Sequence, residues 1–559
     1  MTSIQTCLVL GKPRFRDTDI QQVATNQGVL SAWQNAFERH KTEAPNTVAG
    51  DFAVAMQTAA GTVFMAVDRF AIRSLCYREV GGRLLFAERA DELADASTEI
   101  DPQAIFDYFY FHAIPSPRTI FKGVYRVPPG HYVLFENGQL TVAPYWKPAF
   151  EEARNQPFEK LRDEFREILQ QAAARQLDGG KAACFLSGGT DSSTVAGMIG
   201  LAHGAPAATY SIGFEAEGYD EMEFARIAAR HFNTEHHEYY VTPDDLVSSI
   251  PMVASSYDQP FGNSSALPAY YCAKMAKEGG VSTILAGDGG DELFGGNSRY
   301  AKQRIFNSYR HLPSLLKKGL LEPLFSLPGM DQIPLVKKGS SYIEQASIPM
   351  PDRLQLYNLI TRLGVDQVLT PGFLQSINLS APLGLQREVW SSAMTCNLTN
   401  RELAFDWRFT LAESDLPKVC GTTRLAGINV GFPMLDDDLL AFSLRLPVEY
   451  KLKGLKLRWF FKEALRGFLP DEIIVKKKQG FGLPFGVWLT RHDALRKLAR
   501  NSVMGLVDRG ILRAEFVERL FSKHLQEHPG YYGEMIWISM MLEQWLQSHR
   551  AGYAIRNFN

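Results

Sequence analysis

The chain has 559 residues, 45% hydrophobic and 21% charged, a balance that excludes disorder on a large scale and implies roughly two or three domains. Lys plus Arg total 59 against 61 Asp plus Glu, and the net charge of -2 gives no long-range attraction for nucleic acid or an anionic membrane. With no apolar run of about 18 residues and no basic start followed by an apolar segment, the expectation is a cytoplasmic protein without a membrane span.

The first 150 residues carry strand signals at "GTVFMAV" (61–67), "GRLLFA" (82–87) and "HYVLFENGQLTVAPYW" (131–146), where Asn137-Gly138 predicts a tight hairpin. "VLSAWQNAFERH" reads as a helix, and the polar stretch 151–157, ending in proline, reads as a linker. From 158 the period changes: Phe158, Leu161, Phe165, Ile168, Leu169 and Ala172 share one helical face. Apolar runs "KAACFL", "AATYSIGF", "EHHEYYV" and "VSTILAG" then alternate with helical stretches, which predicts βαβ units and a parallel sheet. Beyond about residue 300 the pattern is mainly helical, and the Met and Trp stripe of "GEMIWISMMLEQWL" reads as core packing. The division this suggests is a β-rich domain over 1–150 and an α/β domain over 151–559. Cys7, Cys76, Cys184, Cys272, Cys396 and Cys420 are scattered, with no zinc spacing, and read as reduced thiols.

Three loops carry chemistry. "SGGTDSS" is placed between a strand at 182–186 and a helix starting at Thr194, where backbone amides converge on an anion. Gly188 and Gly189 let the backbone approach a phosphate, and Ser187, Ser192 and Ser193 add hydroxyl donors. Asp191, repelled by bare phosphate, requires a divalent cation, so the loop reads as a pyrophosphate cradle with Mg²⁺. The Walker order GxxxxGK[ST] is absent. "LAGDGGDELFGG" (285–296) sets Asp288, Asp291 and Glu292 at the carboxyl end of the same sheet, a crowd that needs a cation or an amine among them. "VKKKQGFGLPFGVWL" (475–489) is by composition a wet surface, but beside two phosphate loops a lysine there would stabilise charge developing in a transition state.

SGGxDSS resembles the signature of ATP pyrophosphatases, and the three stretches in this order resemble the synthetase domain of the class B asparagine synthetases and their relatives, β-lactam synthetase and the lasso peptide cyclases. "INVGFPMLDDDLLAFSLRLP" with "KLRWFFKEALRGFLPDEI", and in the first 150 residues "GDFAVA" and "IFKGVYRVPPGHYV", extend the resemblance over nearly the whole chain. It implies an α+β amino-terminal domain, an Ntn-hydrolase-like β-sandwich flanked by helices and truncated, followed by an α/β ATP-pyrophosphatase domain with a helical C-terminal part. It also implies a reaction: a carboxylate attacks the α-phosphate of ATP, pyrophosphate leaves, and an amine displaces AMP to form an amide. Carried over, Leu186, Ser187, Gly188, Gly189, Asp191, Ser192, Ser193 and Gly287 bind ATP and pyrophosphate, and Ile212 and Gly213 contact the adenosine. Asp191 and Asp291 hold Mg²⁺, Asp288 deprotonates the amine, and Lys478 is the transition-state lysine.

The departures from the family pattern set the finer expectation. Glutamine-dependent members have a cysteine directly after the initiator methionine; here Thr2 follows Met1, Cys7 is too far along, and no NGEIYN-like segment is found, so the glutaminase is expected to be degenerate. Cys420 in "KVCG", and Asn429 and Gly431 in "GINVGFPMLD", replace residues the family uses, which implies altered acid and amine pockets. The expected function is therefore a specialised amide ligase or macrocyclase, acting on a small-molecule or peptide carboxylate and amine, with a homo-oligomer left open. Ammonia-dependent asparagine synthesis, a tRNA-modifying enzyme and an inactive scaffold are the rivals.

Overall fold

An antiparallel sheet opens the molecule, its strands adjacent in chain order: β1 (Cys7–Gly11), β2 (Phe52–Gln57), β3 (Val63–Val67), β4 (His131–Glu136) and β5 (Gln139–Pro144). The computed structural model describes residues 7–58, 61–153, 156–310, 342, 344–476 and 482–555. The β4–β5 turn is the predicted one: Glu136 pairs with Gln139, and Asn137 and Gly138 have φ of 52° and 74°, the left-handed pair that a two-residue hairpin favours. Side chains alternate between two buried faces. Phe52, Val54, Met56, Phe64 and Ala66 meet Ile20 of α1 (Thr18–Gln27) and Trp33 of α2 (Val29–His40). Ala53, Ala55, Val63, Met65 and Val67 meet Tyr77, Leu84 and Phe86 of a three-stranded sheet (Cys76–Val80, Arg83–Ala87, Tyr125–Arg126).

After residues without regular structure at 151–153 and 156–157, α3 (Phe158–Gln176) buries Leu161, Phe165, Leu169, Ala172 and Ala173, while Phe158 and Ile168 are half-buried. A second sheet follows, parallel throughout, in the order β8-β7-β6-β9-β10. Its strands are β6 (Ala183–Phe185), β7 (Ala208–Phe214), β8 (Glu235–Val241), β9 (Thr283–Leu285) and β10 (Asn429–Gly431). Helices α4 (Thr190–His203), α5 (Met222–Phe232), α6 (Pro243–Ser256) and α7 (Ala266–Glu278) alternate with them. From β6 the chain builds outward through β7 and β8, then returns to lay β9 on the other side. The crevice beyond the carboxyl ends of β6 and β9 is thus a topological switch point, where such sheets bind ligands.

One boundary differs from the sequence reading. Helix α4 begins at Thr190 rather than Thr194, with Gly189 as its extended N-cap and Ser193 N–H donating to the Gly189 carbonyl at 3.1 Å. Asp191, Ser192 and Ser193, which read as turn composition, are first-turn residues of the helix, and no side chain caps its start.

The remaining described chain is mainly helical: α8 (Gly290–Phe294), α9 (Leu416–Ala426), α10 (Trp459–Ala464), α11 (Asp493–Asp508) and α12 (Pro529–His549). In α12 the Met and Trp stripe is core, with Met535, Trp537, Met540, Met541 and Trp545 buried. Among the described residues no helix is long and apolar enough to cross a membrane.

Candidate active site

Gly188, at φ +67°, passes against α5 so closely that a Cβ there would stand 2.4 Å from the backbone of Phe224 and Ala225, contacts no side chain could relieve. The turn is tied down by the Ser192 hydroxyl, which accepts from Ser187 N–H at 3.1 Å and donates to the Gly189 carbonyl at 3.3 Å. Together the loop and the first turn of α4 present backbone amides at a helix N-terminus, an anion-attracting arrangement. Ser193 takes no part in that face: it is fully buried behind the turn, because the earlier helix start rotates it into the core.

The second loop interlocks with the first. A Cβ on Gly287 would lie 2.8 Å from Ser192 N, and one on Gly290 would lie 2.0 Å from Asp191 Oδ1, so glycine is what lets the two loops meet. Asp191 and Asp291, the residues expected to share a cation, share a guanidinium. Arg458 donates to Asp191 Oδ2 at 2.6 Å, to Asp291 Oδ1 at 2.7 Å and to Thr190 Oγ1 at 3.0 Å, and a second nitrogen donates to Asp191 Oδ1. Burial works against its charge, but Asp191 and Asp291 raise it above the ordinary arginine value. Arg458 is also left-handed, at φ 52° and ψ 36°, capping α10; strained backbone of this kind gathers at functional sites. Two hard carboxylates beside a phosphate-sized anion site suit Mg²⁺, which takes one or two carboxylates and completes its shell with phosphate and water. Among the described residues no group of three or more His, Cys, Asp or Glu gathers as an all-protein metal cage.

Asp288 lies within the second loop, and an amine does lie among the acids there. Lys418 Nζ stands 3.3 Å from Asp288 Oδ1 and 3.2 Å from Asp415 Oδ1. Burial opposes the lysine's charge, and the two carboxylates restore it and hold it above the usual lysine range. Asp415 closes a π-helical turn over Trp407–Asp415 that leads into α9, the sort of local irregularity that often marks a functional site. Of the lysine run, Lys476 pairs with Glu221 at 3.1 Å and approaches the Gly188 carbonyl at 3.4 Å. Lys478 lies outside the described residues.

All this faces one cavity of about 1040 Å³, lined by Leu186, Ser187, Gly189, Asp191, Ser192, Ile212, Gly287, Asp288 and Asp291 of the predicted set. Gly188, Ser193 and Gly213 do not line it; Gly213 is set against the Tyr240 ring, 2.6 Å from where its Cβ would be. Sequence reasoning assigned no role to Arg458, Lys418, Asp415 and Lys462, which do line it. The departures expected to reshape the pockets fall elsewhere. Asn429 pairs with Thr283 at the amino ends of β10 and β9, away from the cavity; Gly431 packs on Gln176 and Leu285; and Cys420 lines a small separate cavity of about 90 Å³.

Residues 164–547 match the asparagine synthase family, and residues 31–146 match a glutamine amidotransferase domain. The chain belongs to the asparagine synthase family. Family membership makes it an ATP-dependent carbon–nitrogen ligase. It is 26% identical over 515 residues to asparagine synthetase [glutamine-hydrolyzing] 1 of Bacillus subtilis (strain 168), covering 91% of this chain and 79% of that one. It is likewise 26% identical over 472 residues to a putative asparagine synthetase [glutamine-hydrolyzing] of Mycobacterium tuberculosis (strain ATCC 25618 / H37Rv), covering 81% and 70%. It is 24% identical over 535 residues to amidase chyE of Penicillium rubens, covering 85% and 76%.

Proposed function

We propose that this family member adenylates a carboxylic acid larger than a single amino acid and transfers it to an amine without drawing on glutamine. Residues 151–559 carry the chemistry, and 1–150 form a glutaminase-like unit that serves as a scaffold. The observation that carries the reading is the pairing, in one cavity, of a phosphate-side charge cluster (Asp191, Arg458, Asp291) with a second cluster (Asp288, Lys418, Asp415). An acyl-adenylate made at the first is within the same enclosure as a base at the second. The Leu186–Gly189 loop and the α4 N-terminus hold the pyrophosphate as the P–O bond to it breaks and the acid's oxygen bonds to the α-phosphorus. Asp191 and Asp291 would hold Mg²⁺, which would supply charge neutralisation for the leaving pyrophosphate. The acceptor binds as an ammonium beside Asp288, which takes its proton, and the freed amine attacks the acyl carbon as AMP leaves.

Room for an acid larger than an amino acid is supported by the cavity's rim: the nucleotide takes part of the roughly 1040 Å³, and a bulky acid would extend over Leu455 and Val475, 56% and 70% exposed. Glutamine independence is supported by the thiols. Within residues 1–150 burial pushes the Cys76 thiol up to about 12, away from the thiolate a glutaminase nucleophile needs, and the other thiol there, Cys7, is exposed on the edge strand β1.

Pyrophosphate release from ATP and Mg²⁺, followed over a panel of amino, peptidyl and other carboxylic acids with glutamine, ammonium or an organic amine, tests the reading. Release with a bulky acid, indifferent to glutamine, is the expected result. Aspartate-dependent release that yields asparagine would overturn the size argument, and faster amide formation with glutamine than with ammonium would overturn the glutamine argument.

A further inference from the structure

We propose that Arg458 is a resident substitute for the divalent cation: without nucleotide its guanidinium pairs with both Asp191 and Asp291, and the metal–nucleotide complex displaces it toward the phosphates. The inference rests on the reading of Asp191 and Asp291 as the metal-site carboxylates.

The two aspartates are held so close that both approach one guanidinium, an arrangement that like charges would resist without a counterion. A metal ion bridging them would have to occupy the place of the guanidinium that now contacts both oxygens of Asp191 and Oδ1 of Asp291. The seat is built for this side chain. A Cβ on Gly290 would fall 3.1 Å from an Arg458 terminal nitrogen, and one on Gly296 would fall 2.7 Å from its Cδ and 1.7 Å from Asp291 Oδ1, so residues larger than glycine would close it. The arginine side chain is only 5% exposed, and its left-handed backbone fixes where the chain enters.

Arg458 also has somewhere to go. It rests on the Phe461 ring at 3.9 Å and donates to Thr190 Oγ1, in the first turn of the phosphate helix, so a turn about its own stem keeps it beside the phosphates. Its Nε is buried and lacks an acceptor, a donor that a phosphate oxygen would satisfy. Released from two carboxylates, the guanidinium would meet phosphate with the fork geometry for which arginine is suited. Metal and arginine then alternate, and the site admits the metal readily only when a phosphate is present to receive the arginine.

Mn²⁺ binding followed by electron paramagnetic resonance, with and without a non-hydrolysable ATP analogue, reads this directly and does not depend on turnover. The wild-type protein should bind Mn²⁺ weakly alone and much more tightly with the analogue. Arg458→Gln should strengthen nucleotide-free Mn²⁺ binding by about tenfold or more, within the usual range of such coupling, while narrowing the gain the analogue confers. Arg458→Lys, which keeps a cation but not the fork, should shift in the same direction by less, and it covers the case in which the glutamine variant does not fold. Nucleotide-free Mn²⁺ affinity that is unchanged or weaker in both variants would overturn the proposal. Asp291→Asn separates the two levels. If it abolishes the tight Mn²⁺ binding seen with the analogue while the Arg458 variants show no gain, only the displacement is wrong. If Mn²⁺ binding with the analogue ignores Asp291→Asn, the metal-site reading falls, and this inference with it.

Discussion

At Asp288 a single lysine joins two acids. Lys418 stands at nearly equal distances from Asp288 and Asp415 and ties the two together in a half-buried setting. If Asp288 is the base for the acceptor amine, Asp288→Asn should lower amide formation by about 10²–10⁴-fold, the usual contribution of a positioned base. Adenylation requires no such proton transfer, so acid-dependent exchange of pyrophosphate into ATP should persist in that variant. Measuring both half-reactions on one preparation checks the assignment; parallel loss of exchange and amide formation would make Asp288 a structural or metal-site residue. Lys418→Met removes the cation that joins Asp288 to Asp415 and so leaves Asp288 without that anchor. Amide formation should accordingly fall while acid-dependent pyrophosphate exchange persists, and unchanged amide formation would detach Lys418 from the base.

Among the elements, the phosphate loop is set by steric exclusion. Gly188→Ala would force a left-handed alanine, at about 1–2 kcal/mol, and drive its Cβ into the backbone at the start of α5, adding about 1–3 kcal/mol of overpacking. The loop can relieve this only by lifting its amides off the pyrophosphate position. The expected result is a modest fall in melting temperature with at least about a tenfold loss of ATP-analogue affinity, since about 1.4 kcal/mol already gives that factor. The same thermal loss with unchanged affinity would reduce the loop to a turn. This loop was readable because its signal is local: glycines, hydroxyls and a carboxylate within seven residues after an apolar run. The same is true of α3, whose ends fall where the apolar period starts and stops, and of the Asn137-Gly138 hairpin. Arg458 was not readable. In "KLRWFF" it looks like an ordinary cation entering a helix, and its partners are 267 and 167 positions away. Asp415 and Lys418 sit in helical text in the same way, joined to Asp288 only by the fold. Asn429 illustrates the converse, a departure conspicuous in the sequence that lies at the wrong end of its strand for chemistry.

At the scale of the whole molecule, the amino-terminal layers are fastened to the parallel-sheet half by buried charge. Asp437 accepts from Arg69 at 2.5 Å and from the Gly50 amide at 2.6 Å, and Asp436 receives both Arg14 and Arg175. Lys451 stands at the same join and is less well matched. It is fully buried, lies 4.8 Å from the Phe150 ring, donates to Asn400 Oδ1 at 3.2 Å, and reaches Glu152 only through that asparagine, whose Nδ2 donates to Glu152 Oε1. Burial lowers it from 10.5 to about 7. Below pH 7 the ammonium is charged both folded and unfolded, and the folded protein bears the whole cost of burying it. Between about 7 and 10.5 the unfolded chain holds a proton that the folded protein does not, so this residue's contribution to stability rises with pH, by at most about 1.4 kcal/mol per unit. Lys451→Met keeps the stem and removes the titration. The variant should unfold at a higher temperature than the wild type at pH 7, and the gap should shrink steadily toward pH 10; a gap independent of pH would mean that Lys451 is charged and paired in the folded protein, and a variant less stable at pH 7 would make the Lys451–Asn400–Glu152 chain a net stabilising contact.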